Sequence, residues 1–119
     1  MVNIVLTRID DRLIHGQVMT AWVKVTNADI IVIVDNGVAE DEFLSKVLKM
    51  ASPPGKKVEI LNINDAIKYL NERESKDKVI LLAKSPHTIY ELQKGGITIR
   101  EINLGGMGAK AGRKKLYKN

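Results

Sequence analysis

Ile30-Ile31-Val32-Ile33-Val34 is a run of five β-branched apolar residues with no polar residue among them. A strand with one wet face alternates polar and apolar side chains, whereas an unbroken run belongs to a strand covered on both faces, as in a parallel sheet between helices. Val79-Ile80-Leu81-Leu82-Ala83 repeats the pattern, so these two segments are expected as central strands. Outward from them, segments rich in Val, Ile and Leu near residues 2–8, 58–63 and 98–103 bring the strands, with those at 30–35 and 79–83, to five. Segments of helical period lie between them. This alternation is the pattern of βαβ units, and it predicts a single α/β domain over residues 1–119 with an open, mainly parallel sheet and helices on both faces.

The helices show boundary chemistry. The first is expected to begin close to Gly16 and to bury Val18, Ala21, Trp22 and Val25 against the sheet. In the second, Phe43, Leu44, Val47 and Leu48 recur at helical spacing, and Ser52-Pro53-Pro54-Gly55 stops it. Asn64 is a candidate N-cap for the third, with Ile67 and Leu70 facing inward. Ser85-Pro86 reads as an N-cap followed by proline at the first helical position, and Gly95-Gly96 ends that helix.

Composition removes several function classes. The chain has no cysteine and two histidines, which excludes disulfides and thiolate chemistry and argues against a metal site or metal cofactor. Its longest apolar runs are too short to span a bilayer, and Arg8, Asp10 and Asp11 interrupt the N-terminus before a signal peptide could build, which makes the cytoplasm the expected compartment. The net charge of +5 is local: residues 1–104 carry 14 basic and 14 acidic side chains, and the excess is Lys110, Arg113, Lys114, Lys115 and Lys118. A neutral body with 4% aromatic residues argues against a nucleic-acid module.

A parallel sheet delivers every strand-to-helix loop to one edge, where ligand chemistry belongs. Residues 8–15, 35–37, 63–65, 84–87 and 103–106 are expected there. The densest polar segment is Arg8-Ile9-Asp10-Asp11-Arg12-Leu13-Ile14-His15-Gly16-Gln17, between the first strand and the first helix. A histidine with a reference pKa near ~6.5 keeps a large neutral fraction at neutral pH, so a lone pair is available to attack phosphorus. Arg8 and Arg12 offer permanently charged, planar donors to phosphate oxygens, and the helix N-terminus beyond Gly16 and Gln17 is an anion seat. Asp10 either orients the imidazole or holds an arginine. The plain alternative is a surface ion-pair ladder with His15 as a bystander. His87 lacks flanking arginines and reads as a solvated helix-start residue.

Residues 106–111 formally match a dinucleotide fingerprint, but no apolar helix and no further strand follow. A glycine-rich loop closing over the edge that holds His15 is the more economical reading, beside that of a basic tail. Ser85, Gly105 and Gly106 thereby join Arg8, Arg12, Gly16 and Gln17 as candidate phosphate contacts.

The run R-I-D-D-R-L-I-H-G-Q-V over residues 8–18 resembles the active-site segment of the IIB components of the mannose, fructose and sorbose family of bacterial sugar phosphotransferase systems. Lys84-Ser85-Pro86 and Ile102-Asn103-Leu104-Gly105-Gly106-Met107 resemble that family's later segments, so the resemblance covers essentially the whole chain. It implies a phosphotransferase without a cofactor, in which His15 takes phosphate on Nδ1 from a phosphohistidine of a IIA partner and residues matching Asp10 and Arg12 help set up the transfer. It further implies delivery to a sugar at membrane IIC and IID components, with the domain held peripherally at that permease, and it leaves a homo-oligomer open. Other IIB families use cysteine, which this chain lacks. Family members usually continue past the position of Asn119, so the sheet is expected to lack their C-terminal strand and helix. Two other readings stand beside this one. In the first, His15 and Asp10 act as acid and base on a small phosphorylated substrate. In the second, the basic tail binds RNA.

Overall fold

The structure, a computed structural model, describes residues 3–13, 17–72 and 76–105. Five strands, β1 (Asn3–Ile9), β2 (Ile30–Val34), β3 (Lys57–Leu61), β4 (Lys78–Ala83) and β5 (Asn103–Leu104), form one sheet in the order β3-β2-β4-β1-β5. Every pairing is parallel. The two unbroken apolar runs occupy interior positions, and β2 is buried throughout, as a strand covered on both faces must be.

The helices are α1 (Gln17–Thr26), α2 (Asn36–Ala39), α3 (Glu42–Met50), α4 (Ile63–Glu72) and α5 (Pro86–Lys94). They divide the core in two. Ala66 and Leu70 of α4 and Ile89 and Leu92 of α5 pack on one face of the sheet with Ile9, Val32 and Leu81. Met19 and Val23 of α1, Val38 of α2 and Leu48 of α3 pack on the other with Ile31, Ile33, Ile80 and Leu82. No described helix is long and apolar enough to cross a membrane.

Four local expectations are corrected. The inward stripe of α1 is Met19 and Val23 with Trp22 partly buried, whereas Ala21 and Val25 face solvent. Both stripes satisfy helical spacing and differ by one residue, a rotation of about 100°. The choice falls to the fully buried Met19. In α3, Leu44 and Leu48 turn inward, but Phe43 and Val47 are exposed together with Met50. The cap of α4 is Asn62, whose Oδ1 accepts the Asp65 N–H at 2.7 Å, because the strand ends at Leu61 and the helix starts two residues earlier than Asn64 implies. The fifth strand pairs over two residues only. Ile97, Ile99 and Ile102 pack against the cluster under α4 and α5 instead of extending a ladder along β1.

Elsewhere the boundary reading stands in part. Pro86 opens α5 with Ser85 at the cap position, although the Ser85 hydroxyl makes no capping bond, and Gly96 adopts φ +98 past the helix end. The short α2 was not expected; Asp35 caps it through the Val38 N–H at 3.0 Å.

The strand order fixes where a ligand crevice opens. From β1 the chain runs through α1 to β2 on one side, and from β4 it runs through α5 to β5 on the other. With crossovers of one hand, opposite directions place α1 and α5 on opposite faces, as the two core clusters record. β1 and β4 are neighbours, so the loops that follow them diverge at a topological switch point, the usual binding crevice of an open α/β sheet.

Candidate functional site

Ile9 pairs with Ala83 on one side and Leu104 on the other, so Asp10, Lys84 and Gly105 are the next residues out of three adjacent strands. The backbone ties them together. The Asp10 N–H donates to the Ala83 carbonyl at 2.9 Å, and the Gly105 N–H donates to the Ile9 carbonyl at 2.7 Å. The loops after β1, β4 and β5 therefore leave one edge, as the parallel pattern predicts.

Residues i and i+2 of a strand share a face, which carries Arg8 and Asp10 to the side of the sheet that α1 covers. Asp10 is fully buried. Its Oδ2 accepts from Arg8 Nη2 at 3.3 Å and from Arg12 Nη2 at 3.3 Å, and its Oδ1 accepts from Arg12 Nε at 3.2 Å. Oδ1 also accepts the Arg12 backbone N–H at 3.0 Å, while the Asp10 carbonyl accepts the Leu13 N–H at 2.9 Å. One carboxylate thus folds the loop and holds two guanidiniums, and the arrangement is not a surface ladder.

The two arginines differ. The Arg8 side chain is about nine-tenths buried, lies 5.9 Å from the centre of the Trp22 ring, and donates from Nη1 to Asn103 Oδ1. Arg12 is 54% exposed, so its guanidinium keeps a charged face toward solvent. The hydrogen bond from Arg12 to Asp10 raises the Arg12 pKa above its already alkaline ordinary value, against a smaller desolvation effect. Leu13, buried behind this loop, has φ 58, a backbone conformation unusual for a branched side chain and common where a site loop is over-determined by its surroundings.

Gly105 closes the group from β5. A Cβ placed there would collide with Asp10 Oδ2 and Arg8 Nη2 and would lie 2.8 Å from Asp10 Cγ. The position demands glycine because backbone covers the ion pair.

Of the sequence-derived site residues, Arg8, Asp10, Arg12 and Gly105 come together. Ser85 stands two residues past Ala83 at the same edge, partly exposed, and Gln17 is the first residue of α1. His15, Gly16 and Gly106 lie outside the described residues. Asn103 falls within the 103–106 stretch expected at this edge but has no role assigned from sequence; its register opposite Arg8 exists only once β1 and β5 are paired.

Comparison with known proteins bears on this arrangement. Residues 4–119 match the family model described as the sorbose subfamily IIB component of the phosphotransferase system. The chain is 45% identical over 116 residues to the sorbose-specific EIIB component of Lacticaseibacillus casei, covering 97% of this chain and 71% of that protein. Among solved structures it is similar to manxB from Thermoanaerobacter tengcongensis, with a TM-score of 0.86 and 42% identity over 99% of this chain and 72% of that one. It is also similar to the IIBSor domain of the sorbose permease from Klebsiella pneumoniae, with a TM-score of 0.84 and 41% identity over 98% and 72% of the two chains. With the parallel five-stranded sheet and the Arg8–Asp10–Arg12 group, centred on the buried Asp10, at its switch point, these likenesses lead to one conclusion: the chain belongs to the IIB components of the mannose, fructose and sorbose family of the bacterial sugar phosphotransferase system.

Proposed function

We propose that the protein accepts a phosphoryl group on His15 from a phosphohistidine of a IIA partner and passes it to a sugar taken up through membrane IIC and IID components. The observation that carries this reading is the Asp10 carboxylate, buried at the switch point and holding the half-exposed Arg12 guanidinium in the loop that leads to His15. In this reading the Nδ1 lone pair of His15 attacks phosphorus as the P–N bond of the donor breaks, and the donor imidazole keeps that electron pair. Three equatorial oxygens carry the charge meanwhile, and phosphoryl transfer asks of a protein mainly positioning and charge stabilisation. Arg12 supplies both: its planar fork fits two oxygens, and Asp10 orients it. The amides at the start of α1, with Gly16 and Gln17, and the loops bearing Ser85, Gly105 and Gly106 complete the anion seat. In the second step a sugar hydroxyl oxygen attacks the same phosphorus, the P–N bond breaks with its electron pair on His15, and the hydroxyl proton ends on the released imidazole.

Arg8 has a different part. Buried between Asn103, Asp10 and Trp22, it balances the Asp10 charge and so leaves Arg12 free to turn its outer edge to phosphate. The domain works in the cytoplasm against the membrane permease. Incubation with phosphoenolpyruvate, the general phosphotransferase proteins and a cognate IIA, followed by intact-mass analysis, tests the reading: one added phosphate is expected, discharged when permease membranes and sugar are supplied. Turnover of a small phosphorylated compound with no protein donor would favour the acid-base alternative instead.

A further inference from the structure

The geometry points to Asn103 as a positioning residue for phosphoryl transfer, acting on the reaction through Arg8 and Asp10 to fix the guanidinium of Arg12. Asn103 sits on β5 directly across from Arg8 on β1, so the two side chains leave the same face of neighbouring strands. Its Oδ1 accepts from Arg8 Nη1. Arg8 Nε is buried and meets no acceptor among the described residues, so the polar hold on Arg8 consists of Asn103 at Nη1 and Asp10 at Nη2.

Two contacts at opposite corners of a planar group define its orientation, and one contact leaves it free to swing. With Asn103 in place, Nη2 of Arg8 is aimed at Asp10 Oδ2, the oxygen that also receives Arg12 Nη2. A carboxylate oxygen shared by two guanidiniums stays where both can reach it. Without Asn103, Arg8 keeps Asp10 and the Trp22 ring but loses its second polar anchor, and the Asp10 carboxylate, with Oδ1 still on the Arg12 backbone N–H, loses the fixed charge at Oδ2. The change reaches solvent at Arg12, whose Nε and Nη2 both depend on that rotation. Glycine at 105, the second residue past Asn103, keeps the backbone close enough to cover the assembly. The last strand of the sheet thereby sets the geometry of the loop after the first.

This inference rests on the phosphoryl-transfer reading for its functional consequence, but its physical content is independent of it, and the test separates the two. Asn103→Leu keeps size and removes the acceptor, whereas Asn103→Asp keeps an acceptor oxygen. Two readouts are taken on the full chain: the rate of phosphate gain from phosphorylated IIA by intact mass, and the Nε–Hε resonance of Arg12 in nitrogen-15 spectra, assigned with Arg12→Lys. Asn103→Leu is expected to lower the transfer rate about 10- to 100-fold, a loss equivalent to about 1.4–2.8 kcal/mol. It should also broaden or shift the Arg12 resonance, and Asn103→Asp should recover most of both. In an Arg12→Ala background Asn103→Leu should add little, since it acts through a residue already gone.

An unchanged Arg12 resonance and rate in a folded Asn103→Leu protein overturns the inference, and so does a rate loss that adds in full to that of Arg12→Ala. Should Asn103→Leu fail to fold, Asn103→Asp and Asn103→Ser carry the same comparison, and equal resonances and rates in both overturn it. If the native chain gains no phosphate at all, the transfer reading falls, and the Arg12 resonance alone then decides the coupling.

Discussion

Gly105 lies so close to the Asp10 carboxylate that no side chain fits between them, and the backbone N–H of Gly105 bonds the carbonyl of Ile9 at 2.7 Å. Gly105, the residue that follows the last strand, is thus a cover over a buried ion pair. Gly105→Ala forces Asp10, Arg8 or the β5 end to move. Overpacking of this kind typically destabilises by about 1–3 kcal/mol. Chemical denaturation should show a loss in that range, and phosphoryl transfer should fall further than the unfolded fraction accounts for. A variant as stable and as active as the native protein would mean that the loop yields freely.

Asp10→Ala leaves Arg8 with a buried, uncompensated charge. Removing one partner of a buried pair generally destabilises by about 3–5 kcal/mol, and Asp10 also closes its own loop through the Arg12 N–H. The expected result is a lower denaturation midpoint, with little recovery by Asp10→Asn, which keeps the turn acceptor but not the charge. A midpoint within error of the native value would show that Arg8 finds other compensation.

Arg12 tests chemistry apart from stability. Its guanidinium is half exposed, and Arg8 remains on Asp10 when it is gone, so Arg12→Ala should leave the denaturation midpoint nearly unchanged. Transfer to His15 should fall by two orders of magnitude or so, in keeping with the loss of a charge aimed at a phosphoryl group. The opposite pattern, an unfolded domain whose surviving fraction transfers normally, would make the role of Arg12 structural.

The pH dependence follows from the same residue. Asp10 raises the pKa of Arg12, and a cation with a raised folded-state pKa contributes stability that is complete below its unfolded value and is lost only as pH rises through the folded one. That window lies above the ordinary arginine range. From about pH 6 to 9 neither stability nor transfer should therefore show a transition assignable to Arg12. An alkaline fall in transfer that disappears in Arg12→Lys would contradict the ion-pair assignment.

Much of the sheet was legible because burial on both faces leaves a one-dimensional mark: the runs at Ile30–Val34 and in β4 show it without reference to any partner. The α1 stripe was misread because Val18, Ala21, Trp22 and Val25 fit helical spacing as well as the observed face does, and only packing against Leu13 and the sheet selects Met19 and Val23. The 98–103 segment is longer than the observed β5 for a related reason, since Ile99 and Ile102 look like strand residues but pack against the cluster beneath α4 and α5. At the site, the spacing of Arg8, Asp10 and Arg12 was visible, but their division of labour was not. Which arginine is buried depends on Asn103 and Trp22, 95 and 14 residues away along the chain.

The most direct test of the central claim is the chemistry of phosphate on His15. The native protein, charged from phosphorylated IIA, should gain one phosphate by intact mass, and the label should be lost in mild acid and survive in base. Such lability is expected of a phosphoramidate, because protonation turns the imidazole into a good leaving group. His15→Ala should gain none, whereas His87→Ala, at an exposed position in the first turn of α5, should charge like the native chain. A phosphate that persists in His15→Ala, or one that resists mild acid, would place the carrier elsewhere and contradict the account.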